Sequence, residues 1–232
     1  EDGLPGYQAS IWSGDCSADG SITLALDQDA TCFITNEYTI TTSLVLVKSV
    51  INDHGGAAQP DAWTLTATGP TTLSGSGPEV ASGAGFPEGT YILSESGGPV
   101  GYSASDWVCV GGTPNGANSI TLALNDVATC TITNNDIPPT IKVVNTVTNN
   151  NGGSVTNPDA FGLMIDGLPV LDNAINAVSA NVAHTGSEVG LAGYQPSAWG
   201  GDCNPDGTIT LALDQHATCT ISNDDIAPTL KV

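Results

Sequence analysis

"CTITNNDIPPTIKVVNTVTNNNGG", residues 130–153, is the middle one of three copies of a single phrase. "CFITNEYTITTSLVLVKSVINDHGG" (32–56) precedes it, and "CTISNDDIAPTLKV" (219–232) follows. Aligning the three makes Ile40, Ile137 and Ile226 equivalent, so the chain is a tandem array with a period of roughly ninety to a hundred residues. Two complete repeats are expected, 40–136 and 137–225. Residues 1–39 read as the C-terminal part of a preceding repeat, because "GYQASIWSGDC" there answers "GYSASDWVC" at Gly101 and "GYQPSAWGGDC" at Gly193. Residues 226–232 read as the first strand of a following repeat. The expectation is a stretch of a longer array, or a subunit whose ends complete one another.

Within a repeat every local signal is for strands. "SLVLVKSV" and "DAWTLTAT" are short runs rich in β-branched and aromatic residues, and the second alternates Trp63, Leu65 and Ala67 against Thr64, Thr66 and Thr68. "NDHGG" between them is a hairpin turn whose glycines supply unusual backbone angles. "GTYILSES", "GYSASDWVCV", "SITLAL" and "VATCTITN" follow at the spacing of a sandwich, divided by Gly, Pro and Asn turns. No stretch keeps a 3.6-residue apolar period. The expected fold is all-β: tandem six- or seven-stranded antiparallel β-sandwiches, joined by the stiff linkers "NDIPPT" and "NDDIAPT" into a rod.

Composition excludes several classes of function. The net charge is -21, with 24 acidic residues against three lysines and no arginine. Nucleic acid, anionic membranes and phosphate ligands are met by Lys and Arg, and this chain has almost none to offer. No signal peptide or membrane span is visible in it.

Six cysteines fall at matching places in the repeated phrase, as Cys16 with Cys32, Cys109 with Cys130, and Cys203 with Cys219. Matched pairs in an even count read as three local disulfides and place the chain outside the cytoplasm, extracellular or at the cell surface. Each bond would close a loop of roughly 15–20 residues, worth on the order of 3 kcal/mol. A zinc site would need ligands clustered at short spacing, which the sequence lacks.

"GTYILSESGGPVGY" followed by "ATCTITNND" resembles the prealbumin-like repeats of the SpaA or CnaB type, found in bacterial surface proteins, pilins and adhesin stalks. The resemblance spans both repeats and the flanking pieces. It implies an extracellular stalk or pilus-like fibre. It also implies, for some members, an autocatalytic isopeptide bond between a first-strand Lys and a last-strand Asn, assisted by a Glu.

Strand parity tests for that trio. Lys48 shares parity with Leu44 and Leu46, Glu95 with Tyr91 and Leu93, and Asn134 with Cys130 and Ile132, so all three fall on apolar faces. Such placement is costly unless the groups meet. Burial pushes a lysine amine toward its neutral, nucleophilic form, and a neighbouring carboxyl can polarise the Asn amide and pass protons as ammonia leaves. The competing reading is a lysine that snorkels from a strand edge. The second repeat departs from the pattern: Asn145 stands where Lys48 stood, with Glu188 and Asn223 retained, and Lys142 has the opposite parity. No isopeptide is expected there. In the leading piece Glu1 and Asn36 match the motif, with their lysine upstream.

Acidic residues gather in "GDCSADGS" (Asp15, Asp19), "GDCNPDGT" (Asp202, Asp206) and the linker "NDD" (Asp224, Asp225). Oxygen-rich loops can hold Ca²⁺, but the first repeat has no carboxylate in the corresponding loop and no run has a known calcium spacing. Solvated turns are the expectation, no cofactor is required, and calcium is the alternative. His54, His184 and His216 read as surface or incidental residues. Trp12, Trp107 and Trp199, each just before a cysteine, read as core packing on a disulfide. No catalytic constellation is present.

The sequence therefore points to a structural, non-enzymatic extracellular repeat protein whose partners are copies of itself head to tail, or adjacent repeats of one chain. The alternative is an adhesin whose modules bind glycan, matrix protein or calcium on a host or neighbouring cell.

Overall fold

The structure, a computed structural model, describes residues 6–232, and Glu1 lies outside them. Among the described residues there is no α-helix, only the 3₁₀ turns Pro60–Ala62 and Pro158–Phe161. Among them no helix is long and apolar enough to cross a membrane.

The leading piece contributes β1 (Tyr7–Ala9), β2 (Ser13–Gly14), β3 (Cys32–Phe33) and β4 (Asn36–Tyr38), paired as β1 with β4 and β2 with β3. The first repeat holds β5 (Ser43–Ile51), β6 (Trp63–Thr68), β7 (Thr72–Ser76), β8 (Glu79–Ala81), β9 (Gly89–Gly97), β10 (Tyr102–Ala104), β11 (Val108–Val110), β12 (Thr113–Pro114), β13 (Ser119–Leu122) and β14 (Val127–Asp136). One sheet runs β10-β14-β5-β8 with β11 also on β14, and the other runs β12-β13-β9-β6-β7.

The second repeat holds β15 (Thr140–Thr148), β16 (Leu163–Ile165), β17 (Leu168–Pro169), β18 (Ile175–Ala177), β19 (Ala183–Glu188), β20 (Tyr194–Pro196), β21 (Gly200–Gly201), β22 (Thr208–Thr210) and β23 (His216–Asp225). Its sheets are β18-β15-β23-β20, with β21 on β23, and β17-β16-β19-β22. The same plan is thus drawn twice, as the repeated phrase requires.

Period-2 alternation decides which side chains face inward. On β5 it buries Leu44, Leu46 and Lys48; on β14 it buries Ala128, Cys130, Ile132, Asn134 and Asp136. The first core adds Leu65, Phe86, Tyr91, Leu93, Trp107 and Ile120, with Phe86 stacked on Tyr91 at 4.8 Å between ring centroids. The second core is built from Ile141, Val143, Leu163, Ile165, Ile209 and Ile221, with Trp199 packed against it. A fully buried side chain of this kind contributes about 1.5–3 kcal/mol. In the second repeat His184 and Gly186 stand where the first has Tyr91 and Leu93. A methyl on Gly186 would come within 3.1 Å of the Trp199 ring, so the indole fills the space that a leucine takes in the first repeat.

The pairing of the first and last strands of the second repeat departs from the antiparallel expectation. β15 and β23 run parallel in unbroken register from Thr140↔His216 to Thr148↔Asp224. Parallel neighbours need a long crossover, and the whole repeat between the two strands supplies it. The turn before the last strand is the same in all three copies: Asp27, Asn125 and Asp214 each adopt positive φ, of 65°, 68° and 60°. Asp and Asn are the non-glycine residues that tolerate this region best.

The chain divides into two compact units that do not follow the repeat boundary. One holds the residues up to Val47 with Thr64–Ser96 and Asp106–Ile132; the other holds Lys48–Trp63, Gly97–Ser105 and Thr133–Val232. Within the second unit the turn of the first repeat is tied to the second repeat. Ala180 N donates to His54 O at 2.7 Å and Asn181 Nδ2 to Gly55 O at 3.1 Å. Gly55, at φ 95°, lies so near that a Cβ there would meet Ala180 O at 2.5 Å.

Candidate functional site

The second repeat shows how the candidate trio is assembled. β15 carries Asn145, β23 carries Asn223 and β19 carries Glu188, and the alternation of each strand turns these polar groups toward the core side. Asn223 Nδ2 uses both protons, one on Asn145 Oδ1 at 3.0 Å and one on Glu188 Oε2 at 2.9 Å. Asn145 Nδ2 in turn donates to Pro158 O at 3.3 Å. Two buried oxygens of this cluster, Glu188 Oε1 and Asn223 Oδ1, have no hydrogen-bond partner. An orphaned buried acceptor costs about 1–3 kcal/mol. The three strands that the sequence singled out do bring their polar residues to one place.

In the first repeat the equivalent residues are Lys48, Glu95 and Asn134. Lys48 and Asn134 are both 3% exposed and lie on β5 and β14, which are neighbours in the sheet. Snorkelling is therefore excluded for Lys48, whose Nζ stands 4.7 Å from the centroid of the Trp63 ring. Glu95 is half-buried, on the face of β9 that carries Tyr91 and Leu93. Lys142 is half-buried on the opposite parity of β15, as its position in the phrase implied.

All three disulfides are formed, Cys16–Cys32, Cys109–Cys130 and Cys203–Cys219. Cys109 lies directly across the β11–β14 ladder from Cys130. Trp107 is buried in the core that contains Cys130, and Trp199 packs on the core that contains Cys203 and Cys219.

The acidic loops have other occupations. Asp19 accepts from Ser21 N and Oγ, and Asp206 from Thr208 N and Oγ1. Each holds its own tight turn, and those hydrogen bonds lower both carboxyls below the usual range. Asp15 and Asp202 cap Thr31 N and Thr218 N, both at 2.7 Å. Asp224 sits exposed on β23 opposite Gln195.

Asp225, by contrast, is buried, and it belongs to a device that the linker reading missed. Its carboxylate accepts from Asn150 N, Asn151 N and Gly153 N, clipping the turn after β15 onto the end of β23. Asp136 does the same in the first repeat with Asp53 N, His54 N and Gly56 N. Burial opposes the charge of both carboxylates, but the backbone donors outweigh it and hold both below the usual carboxylate range. Tyr102 OH and Tyr194 OH complete the clips through Asn52 Oδ1 and Asn149 Oδ1, and they accept from Ala58 N and Val155 N. The second glycine of each "GG" is needed for this approach: a Cβ on Gly56 would lie 2.2 Å from Tyr102 OH, and one on Gly153 lies 2.5 Å from Tyr194 OH. The parity shared by Asp136, Asn134 and Ile132 was the available signal.

His184 is corrected from an incidental residue to a buried one, 6% exposed, with Nδ1 on Asp166 Oδ2 at 2.6 Å and Nε2 on Ser179 O at 2.7 Å. Its position matches Tyr91, whose hydroxyl likewise donates to a preceding carbonyl, Pro87 O. His216 is exposed, with Nδ1 on Thr140 Oγ1.

A family model described as a prealbumin-like fold domain matches residues 40–132 and again 136–221. The chain belongs to the prealbumin-like fold domain family. Among solved structures, this prealbumin-like chain is similar to the TIE protein of Bacillus anthracis, at 14% identity and a TM-score of 0.46 over 84% of this chain and 36% of that one. It is also similar to the major pilin protein T-13 of Streptococcus pyogenes, at 13% identity and a TM-score of 0.31 over 81% and 99% of the two chains. The pilus adhesin SpaC of Lactobacillus rhamnosus GG is a third, at 14% identity and a TM-score of 0.35, covering 97% of this chain and 42% of that one. This chain thus spans little more than a third of the TIE chain it matches. No curated protein matches the sequence.

Proposed function

We propose that the chain is a structural extracellular element, a run of prealbumin-like domains in a cell-surface stalk or head-to-tail filament, with domains at 40–136 and 137–225. The observation that carries this is the duplication itself. Two sandwiches share one sheet plan, one disulfide position and one Asp-clipped turn, so what the sequence repeats is a way of holding a strand framework together. Such arrays gain stability repeat by repeat, and the net charge of -21 keeps neighbouring fibres apart. Its partners are copies of the same chain or adjacent repeats of a longer one, and the role is not enzymatic.

The first repeat further carries an isopeptide bond from Lys48 to Asn134. The lysine amine attacks Cγ of Asn134, a new C–N bond forms, the old one breaks and ammonia leaves; Glu95 shuttles the proton. The hydrogen-bonded Asn145–Asn223–Glu188 cluster supports the placement, since it is the same arrangement with the nucleophile replaced by an amide.

Electron microscopy of the native particle tests the structural role. An axial repeat matching whole domains is expected, and a compact globular monomer would overturn it. Intact mass after reduction tests the bond separately, as one ammonia lost with Lys48 and Asn134 peptides joined.

A further inference from the structure

The turn of the first repeat differs from its counterpart in the second at two places, and both changes introduce metal-ligand chemistry. Where the second repeat has Asn150 and Asn151, the first has Asp53 and His54. Among the described residues, Asp53, His54 and Asp136 form the one group of His, Cys, Asp or Glu side chains close enough to share a metal ion.

In the second repeat the apex is an amide, Asn151 Nδ2, which divides two protons among Asn150 Oδ1, Asp225 O and Asp225 Oδ1. In the first repeat His54 Nδ1 occupies that apex, 2.7 Å from Asp53 Oδ1 and 3.2 Å from Asp136 Oδ1. A ring nitrogen carries at most one proton, charged or neutral. Two carboxylate oxygens therefore converge on a single hydrogen, and the triangle lacks one positive donor. The lone-pair count agrees. Asp136 Oδ2 is filled by His54 N and Gly56 N, while Oδ1 takes only Asp53 N and directs its other lone pair at the imidazole.

We propose that a divalent transition-type cation such as Zn²⁺ binds here, held by His54 Nδ1, Asp53 Oδ1 and Asp136 Oδ1 with water in the remaining position. Zinc bonds of about 2.0–2.1 Å meeting at the tetrahedral angle set donor atoms about 3.3 Å apart. The His54–Asp136 spacing already matches this. Asp53 moves outward by about half an ångström, which its 59% exposed side chain on a turn permits. An imidazole among three ligands favours Zn²⁺, Ni²⁺ or Cu²⁺ over Ca²⁺ or Mg²⁺. The cation replaces the single proton and neutralises two carboxylates that the second repeat does not have to place together. It also fixes the turn whose carbonyls, His54 O and Gly55 O, receive Ala180 N and Asn181 Nδ2 from the second repeat.

The test is calorimetric titration of ZnCl₂ into the chelator-treated full chain, beside the double variant Asp53→Asn, His54→Asn. That variant writes the second repeat's own residues into the first, so the clip is retained, and a thermal melt in chelator confirms it. One equivalent of Zn²⁺ per chain is expected, with no saturable Ca²⁺ binding. Loss of an outer-shell partner alone costs about 10–100-fold in affinity, so removal of two ligands should abolish the site and Asp53→Asn alone should weaken it by at least about tenfold. Equal binding by wild type and double variant, which would mark a diffuse effect of surface carboxylates, overturns the proposal. So does the absence of saturable Zn²⁺ binding, or tighter Ca²⁺ than Zn²⁺ binding.

Discussion

The two repeats bury an asparagine at the same place on their last strand, and they surround it differently. Asn134 shares its sheet with a buried lysine on the neighbouring first strand; Asn223 is met by a second amide, Asn145, and by Glu188, and the cluster keeps two orphaned oxygens. One sandwich plan thus accepts either a lysine or an amide beside its buried asparagine.

The largest effect that would break this contrast comes from the lysine. Lys48→Met should restore the mass of the missing ammonia and remove the closure of a loop of nearly ninety residues, about 4–5 kcal/mol, from the first repeat alone. The converse, Asn145→Lys, should create a second ammonia loss in the second repeat, read by mass spectrometry of the reduced chain. A native chain that has lost no ammonia would equalise the repeats and remove the contrast.

Disulfides come next. Replacing Cys203 and Cys219 by Ala, or Cys109 and Cys130 by Ala, should cost each repeat about 3 kcal/mol. With its smaller core, the second repeat should then unfold at the lower temperature in calorimetry. Equal melting of the two single-pair variants would show that core size does not separate them.

In chelator, the clips should respond alike in both repeats. Asp136→Asn and Asp225→Asn each exchange a charge-assisted acceptor for a neutral one, at about 1.5–3 kcal/mol. Both carboxyls are held below their ordinary value of 3.8, so their contribution is complete above that pH and is lost as pH falls through the lower folded value. Acid titrations followed by circular dichroism should show a shallower loss in either variant than in the parent.

The smallest effect separates the repeats again. His184 is held above its ordinary 6.5: burial works against its charge, but Asp166 and Ser179 O, one on each ring nitrogen, outweigh it. Its contribution is therefore present below pH 6.5 and fades as pH rises through the raised value. His184→Gln should flatten that dependence in the second repeat. An unchanged slope would assign it to another group.

Much of this was legible beforehand. The phrase at Cys130–Gly153 gave the period, and parity alone put Lys48, Asn134 and Asn223 on buried faces. Parity reports which face a residue occupies but is silent on what lies opposite. Hence Asp225 passed for a solvated linker residue when three backbone amides were waiting across the turn. His184 passed for an incidental residue because its counterpart is a tyrosine, and the shared feature, a donor aimed at a nearby carbonyl, has no signature in residue type. The parallel pairing of first and last strands was equally hidden, since alternation is the same in either direction.

That parallel ladder has a mechanical meaning. Tension entering a repeat at Thr140 and leaving at Asp225 pulls the two strands from opposite ends of their shared register, which extends from Thr140↔His216 to Thr148↔Asp224. The load falls on all the rungs at once in shear, and none can be peeled open in turn. In the first repeat a Lys48–Asn134 bond would carry the force directly from the first strand to the last, leaving the remainder of the sandwich slack.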